Sequence, residues 1–520
     1  MVRNSRRAFL ANVGRGMLVA GLGAELCGDL DLARLEAADE GTDGGLPLSF
    51  GRLEPLVALM QETPPQKLLP QLVERLRAGT KLKELLAAGA LANARTFGGQ
   101  DYVGFHTFMA LAPAYRMAKS LPASQQPLPV LKVLYRNAKR MQECGGRNDE
   151  VLKSVKKASA PPVRIDGEQL QQVSRTGDIE TADRTFAALA DAPIGEAFNH
   201  LQFAVEDEVD VHRVVLAWRG WETRELAGEQ WGHCLLRQSI RYCADTENKM
   251  IARSQPRSAV RQVLPKLLDQ YGLLGRTLGT TTGDDMWLDE LAETIFRGDR
   301  DQAAEAVAQS LHDGYSPESI GEALSLAANR LVLRDPGRPE KWANAEKPAG
   351  SCHGDSIGVH ACDAANAWRN IVRVSNPRNV VASLIVGGFH TAGQSERSNE
   401  HAYPTDEQLA EVRSVLPSSL LQETEAAVRN RDQVRAAALV SRLGAEGGDP
   451  RQVFDLMLSF ATSEDGALHA EKYYNTAVEE FSTVRPAYRW GQLVALARVT
   501  ASEFGYRSDG YEQAKELLQI

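Results

Sequence analysis

Four histidines in this chain open apolar stretches in one recurring local setting. Asp101 precedes His106 in QDYVGFHTFMALAPAY, and Asp207 precedes His212 in EDEVDVHRVVLAW. Asp355 precedes His360 in SCHGDSIGVHACDAANAWRN, and Glu464 precedes His469 in SEDGALHAEKYYNTA. Each time four residues separate acid and imidazole. Imidazole changes charge near neutral pH and ligates transition metals through either ring nitrogen. His106, His212, His360 and His469 are therefore the candidate general bases or ligands, provided the fold brings them to one place. Lys472 lies three residues beyond His469 and shares its helix face, so Lys472, or Arg369, would stabilise developing oxyanion charge. A second grouping of His353, His360 and His390 would supply a metal site. On a continuous helix His353 and His360 would point about 20° apart, although Gly354 and Gly358 interrupt that stretch. His233 is a further candidate. The plainer reading of the motif is structural: the acid caps a helix start and the histidine packs its ring against a neighbour.

The elements that would carry these residues are helices. LLPQLVERLRAG and LKELLAAGALANAR show the helical period with Gly79 as a stop, and almost no stretch alternates as a strand does. The histidines are spaced as a duplication. His106 to His360 is 254 residues and His212 to His469 is 257, with steps of 106 and 109 inside the halves. Leu76, Gly79 and Arg95 recur as Leu311, Gly314 and Arg330 at a constant offset of 235, and Trp231-Gly232 recurs as Trp490-Gly491. The expected fold is an all-α, internally duplicated multi-helix array of two halves, each of two roughly four-helix units. The boundaries read as a signal segment at 1–28, a transition segment at 29–63, a first half at 64–285 and a second half at 286–520, with TLGTTTGDD as the break.

Composition narrows the function. Hydrophobic residues at 43% and charged residues at 24% suit a folded globular chain. The net charge of −9 argues against a nucleic-acid-binding surface. Beyond the N-terminus no apolar run is long enough for a stable membrane span. The six cysteines contain no C-x-x-C pair and read as small buried hydrophobes, with a lone disulfide as the alternative. There is no P-loop, nucleophile elbow or H-E-x-x-H, and the glycine-rich pieces lack a strand-then-helix context. Asn4-Ser5-Arg6-Arg7-Ala8-Phe9-Leu10, followed by a mildly apolar run, looks like a bacterial twin-arginine signal. That implies the twin-arginine export machinery as a partner and a periplasmic or extracytoplasmic location.

His469-Ala470-Glu471-Lys472-Tyr473 resembles the H-x-x-K-Y segment near the end of the questin oxidase-like family. Gly104-Phe105-His106 and Gly358-Val359-His360 resemble that family's histidine-bearing helices. The clear overlap is short, with a looser histidine pattern over most of the chain. The resemblance implies a helical oxidoreductase that inserts oxygen into an aromatic or polyketide-like small molecule without a flavin-binding fold, with a metal ion or NADPH as cofactor. The competing expectation is a non-catalytic helical-repeat scaffold that binds a partner in its groove.

Overall fold

The structure is a computed structural model that describes residues 47–154, 165–354 and 356–520. The twin-arginine-like segment, Cys27 and Asp355 lie outside the described residues. Among those described there are twenty-three α-helices, six short 3-10 turns and three isolated β-bridges, with no sheet. The all-α expectation is met.

The duplication is visible in the order of helices. Pro65–Arg77 and Leu82–Phe97 correspond to Arg300–His312 and Pro317–Leu333 at the offset of 235. Four helices carry the recurring histidines: α1 (Tyr102–Ser120), α2 (Val211–Ala227), α3 (Ile357–Val374) and α4 (Ala470–Thr483). Their packing closes a ring. α1 lies against α2 and α4, and α3 lies against α2 and α4. Each half contributes two members, so the centre of the ring belongs to both halves.

Local chemistry sets these helices. Asp101 accepts from the Gly104 N–H and starts α1, Asp210 starts α2, and Ser356 starts α3. With Ser356 as its cap, α3 begins after His353, so His353 and His360 do not share a helix. Gly358 serves close approach rather than a break, since a Cβ there would sit 2.6 Å from the Val332 backbone nitrogen. The transition segment also differs from expectation. Glu54–Glu62 is helical, begins with proline at its first turn, and packs on Leu82–Phe97. Its apolar residues Leu56, Val57 and Met60 are buried, which a segment this short conceals as a period. No helix lies between Gln270 and Asp285.

The halves are pinned by a buried ionic cluster. Lys132, fully buried, donates to the carbonyls of Ala461 and Glu464 at 2.7 and 2.9 Å and pairs with Glu471 at 2.8 Å. Arg136 approaches the same Glu471 carboxylate at 3.1 and 3.2 Å and also pairs with Asp465. One carboxylate thus neutralises two cations from the other half. Glu471→Leu strands the Lys132 charge, leaves Arg136 with Asp465 alone, and lowers stability by about 3–5 kcal/mol. Lys132→Met costs less, because Arg136 still neutralises Glu471. Chemical denaturation of the two variants at fixed pH checks the order, and equal losses would contradict it.

Candidate functional site

The four histidines enter the ring from the N-terminal ends of their helices and meet. Ring centroids are 4.9 Å apart for His106 and His212, 6.0 Å for His212 and His360, 5.0 Å for His360 and His469, and 5.3 Å for His469 and His106. Consecutive neighbours close a quadrilateral of imidazoles. His106 and His469 are essentially inaccessible and His360 is buried, while the His212 side chain keeps 12% of its surface exposed.

Hydrogen bonds assign the protons. His106 Nδ1–H donates to the Tyr102 carbonyl at 2.7 Å, and His469 Nδ1–H donates to the Ala467 carbonyl at 2.8 Å. His212 Nδ1–H donates to the Asp210 carboxylate at 3.1 Å. A carbonyl or carboxylate only accepts, so these three Nδ1 atoms carry hydrogen, and in the neutral rings Nε2 carries a lone pair. His106 Nε2 and His212 Nε2 are buried without a hydrogen-bond partner, and His360 Nε2 lies 3.1 Å from His469 Nε2.

The recurring acid does not play one recurring part. Asp101 caps its helix as expected. Asp207 does not: it pairs with Arg175, and Asp210, two residues before His212, is the cap. Glu464 ends the preceding helix and accepts from the Gly505 N–H. The turn before His469 is capped by Asp465 and holds Ala467 and Leu468 at φ of 50° and 71°, the left-handed region that costs residues with a Cβ on the order of 1–2 kcal/mol each. That strained turn presents the Ala467 carbonyl to His469.

Burial, then the positive charge of Lys472, holds His106 and His469 well below the usual histidine range. Burial also brings Lys472 down to about 7, opposed by the Asp363 carboxylate. Burial pushes Asp363 up, with Lys472 and the Thr476 hydroxyl restraining the rise. Burial works against the charge on Asp210 too, but the His212 N–H and the Tyr242 hydroxyl, at 2.6 Å, keep it well below the carboxylate range.

Other sequence candidates fall elsewhere. His390 accepts from the Trp368 indole N–H at 3.3 Å, and His233 stacks on Phe186. His353 lies in the loop before α3, where its Nδ1 accepts the Gly354 N–H. The grouping of His353, His360 and His390 is thus not assembled as a site, because the three stand on a loop and on two separate helices. Arg369 is held by Glu480 and Glu318. Tyr473 and Tyr474 line a separate small cleft with Glu464, Thr500 and Glu503. The five cysteines among the described residues are free thiols. Asp210, Asp363 and Arg219 join the site without having been singled out in the sequence; helical spacing from the histidines is the one signal that marks them.

Among the described residues no group of three or more His, Cys, Asp or Glu side chains is arranged so that it could hold a metal ion as the side chains stand. The donor chemistry of the four imidazoles nevertheless suits a transition metal: Nδ1–H is tied to oxygen on three rings, as in ligating histidines, and Nε2 of His106 and of His212 is buried without a partner. The chain matches no family model, no curated protein and no solved structure.

These burials set a pH dependence. An unfolded histidine takes a proton below about 6.5, and His106 and His469 resist it in the fold. The unfolded state therefore binds more protons, and stability falls as pH drops below that value, by about 1.4 kcal/mol per pH unit for each histidine. Metal-free protein should lose stability steeply from pH 6.5 to 5, and His106→Phe should flatten the slope. Equal slopes would contradict the neutral assignment.

Proposed function

We propose that the protein is an oxidoreductase acting on a small organic molecule at a transition-metal centre held by His106, His212, His360 and His469. The observation that supports it is the meeting of four buried imidazoles from both halves, with two Nε2 atoms lacking any partner. Separate packing histidines, as a scaffold would have, give no reason for that convergence. The short likeness to the questin oxidase-like family points the same way, towards oxygen insertion into an aromatic or polyketide-like substrate.

On this reading the bound metal supplies Lewis-acid and redox capacity that the side chains lack. The protein does the rest. The Tyr102 and Ala467 carbonyls and the Asp210 carboxylate hold Nδ1–H and aim Nε2 at the centre. Lys472, poised near neutrality, accepts a proton from the substrate at Nζ. Asp363, which shares a pocket of field with it, stabilises the resulting ammonium. The enclosing helices exclude bulk water, so these charges act at low dielectric. Export by the twin-arginine route belongs to the same proposal, since that route carries proteins already folded around a cofactor.

Purified protein should contain close to one transition-metal ion per chain by elemental analysis, and the His106→Ala, His360→Ala double variant should contain none. Asp210→Asn should weaken metal affinity by about 10–100-fold without removing a ligand. A folded wild type that neither carries nor takes up metal would sink the centre.

A further inference from the structure

Ten residues beyond its histidine, each inner helix carries a polar side chain: Arg116, Glu222, Asn370 and Glu479. Ten residues of helix place this second layer about 15 Å below the imidazoles. It closes on itself. Arg116 pairs with both Glu222 and Glu479, and Asn370 donates to Glu479 at 3.1 Å. Arg116 reaches the surface, with 39% of its side chain exposed.

Between the two layers the helices present their third and seventh residues past the histidines. α1 gives Met109 and Pro113, which are apolar, while α3 and α4 give Asp363, Lys472 and Thr476. α2 gives Arg219. Its side chain is 3% exposed, it pairs with the Glu222 carboxylate at 2.6 Å, and Glu222 is shared with Arg116. Arg219 Nε is buried without a partner, as is the indole nitrogen of the adjacent Trp218. Lys472 is 2% exposed, and the Asp363 carboxylate offsets part of the cost of burying its charge. Asp363 is occupied by the Thr476 hydroxyl at 2.8 Å. The groups left over on Arg219 and Trp218 are both donors. Buried donors without acceptors cost free energy, and a ligand that brings oxygen acceptors recovers it.

We propose that the interval between the layers seats the substrate, and that Arg219 binds its carboxylate. The substrate is then a small organic acid whose reacting end faces the imidazoles. The planar guanidinium, with Nε free, matches a carboxylate better than a point cation does. The assignment rests on the metal-centre reading for the chemistry performed, but carboxylate binding itself is measurable without turnover or metal.

Calorimetric titration of the full-length protein with benzoate, and with neutral benzamide of the same shape, tests it. Benzoate should bind at least about tenfold more tightly than benzamide. Arg219→Gln should abolish that preference while metal content and thermal midpoint stay at wild-type values. If Arg219→Gln fails to fold, Arg219→Lys keeps the charge and removes the fork, and should still reduce benzoate affinity with benzamide unchanged. Equal binding of the two probes, or benzoate affinity indifferent to the Arg219 variant that folds, overturns the proposal. Tighter binding of 4-nitrophenolate than benzoate would also overturn it, in favour of a phenolate subsite. Loss of metal with benzoate binding intact would refute the centre and leave this subsite standing.

Discussion

Four imidazoles can be buried side by side only if they stay neutral and each N–H has an acceptor. That constraint organises the interior. Three of the rings meet it with acceptors supplied from their own helix entrances: the Tyr102 carbonyl, the Asp210 carboxylate and the Ala467 carbonyl. The third acceptor requires two consecutive residues with side chains to adopt the left-handed region. Surrounding structure must hold such a turn, and the buried Lys132–Glu471–Arg136 cluster one residue from Lys472 does so while joining the halves.

The halves match in helix order and in their histidines, yet differ between the histidine layer and the ion-pair layer. Where α4 has Lys472, α2 has Val215, and where α3 has Asp363, α1 has Met109. Arg219 of α2 stands opposite Thr476 of α4 in the repeat. A symmetric ring of donors therefore sits above an asymmetric floor. Symmetry suits holding one ion; asymmetry suits orienting a molecule with two different ends.

Much of the fold was legible. The 3.6-residue period, the offset of 235 and the paired histidine spacings carried the all-α duplicated array and placed His106, His212, His360 and His469 together as candidates. Two kinds of information were out of reach. Short helices such as Glu54–Glu62 bury too few residues to show a period. Partnerships are also silent in a linear chain. Arg369 and Arg219 read alike as helical arginines, yet Arg369 is taken by Glu480 and Glu318 while Arg219 keeps a free Nε. Asp207 drew notice by its spacing, but Asp210, two residues from His212, is the carboxylate that touches the ring. Spacing marks which residues share a face, and packing decides which of them lack a partner.

The central claim is that His106 and His469 are neutral imidazoles with hydrogen on Nδ1 and a lone pair on Nε2. Nitrogen-15 NMR of the histidine rings in metal-free protein reads both properties directly. At neutral pH, His106 and His469 should each show a protonated Nδ1 and an unprotonated Nε2, and His360→Ala should leave both tautomers in place. Rings protonated on Nε2, or imidazolium signals from His106 and His469 at that pH, would contradict the arrangement from which the metal centre is inferred.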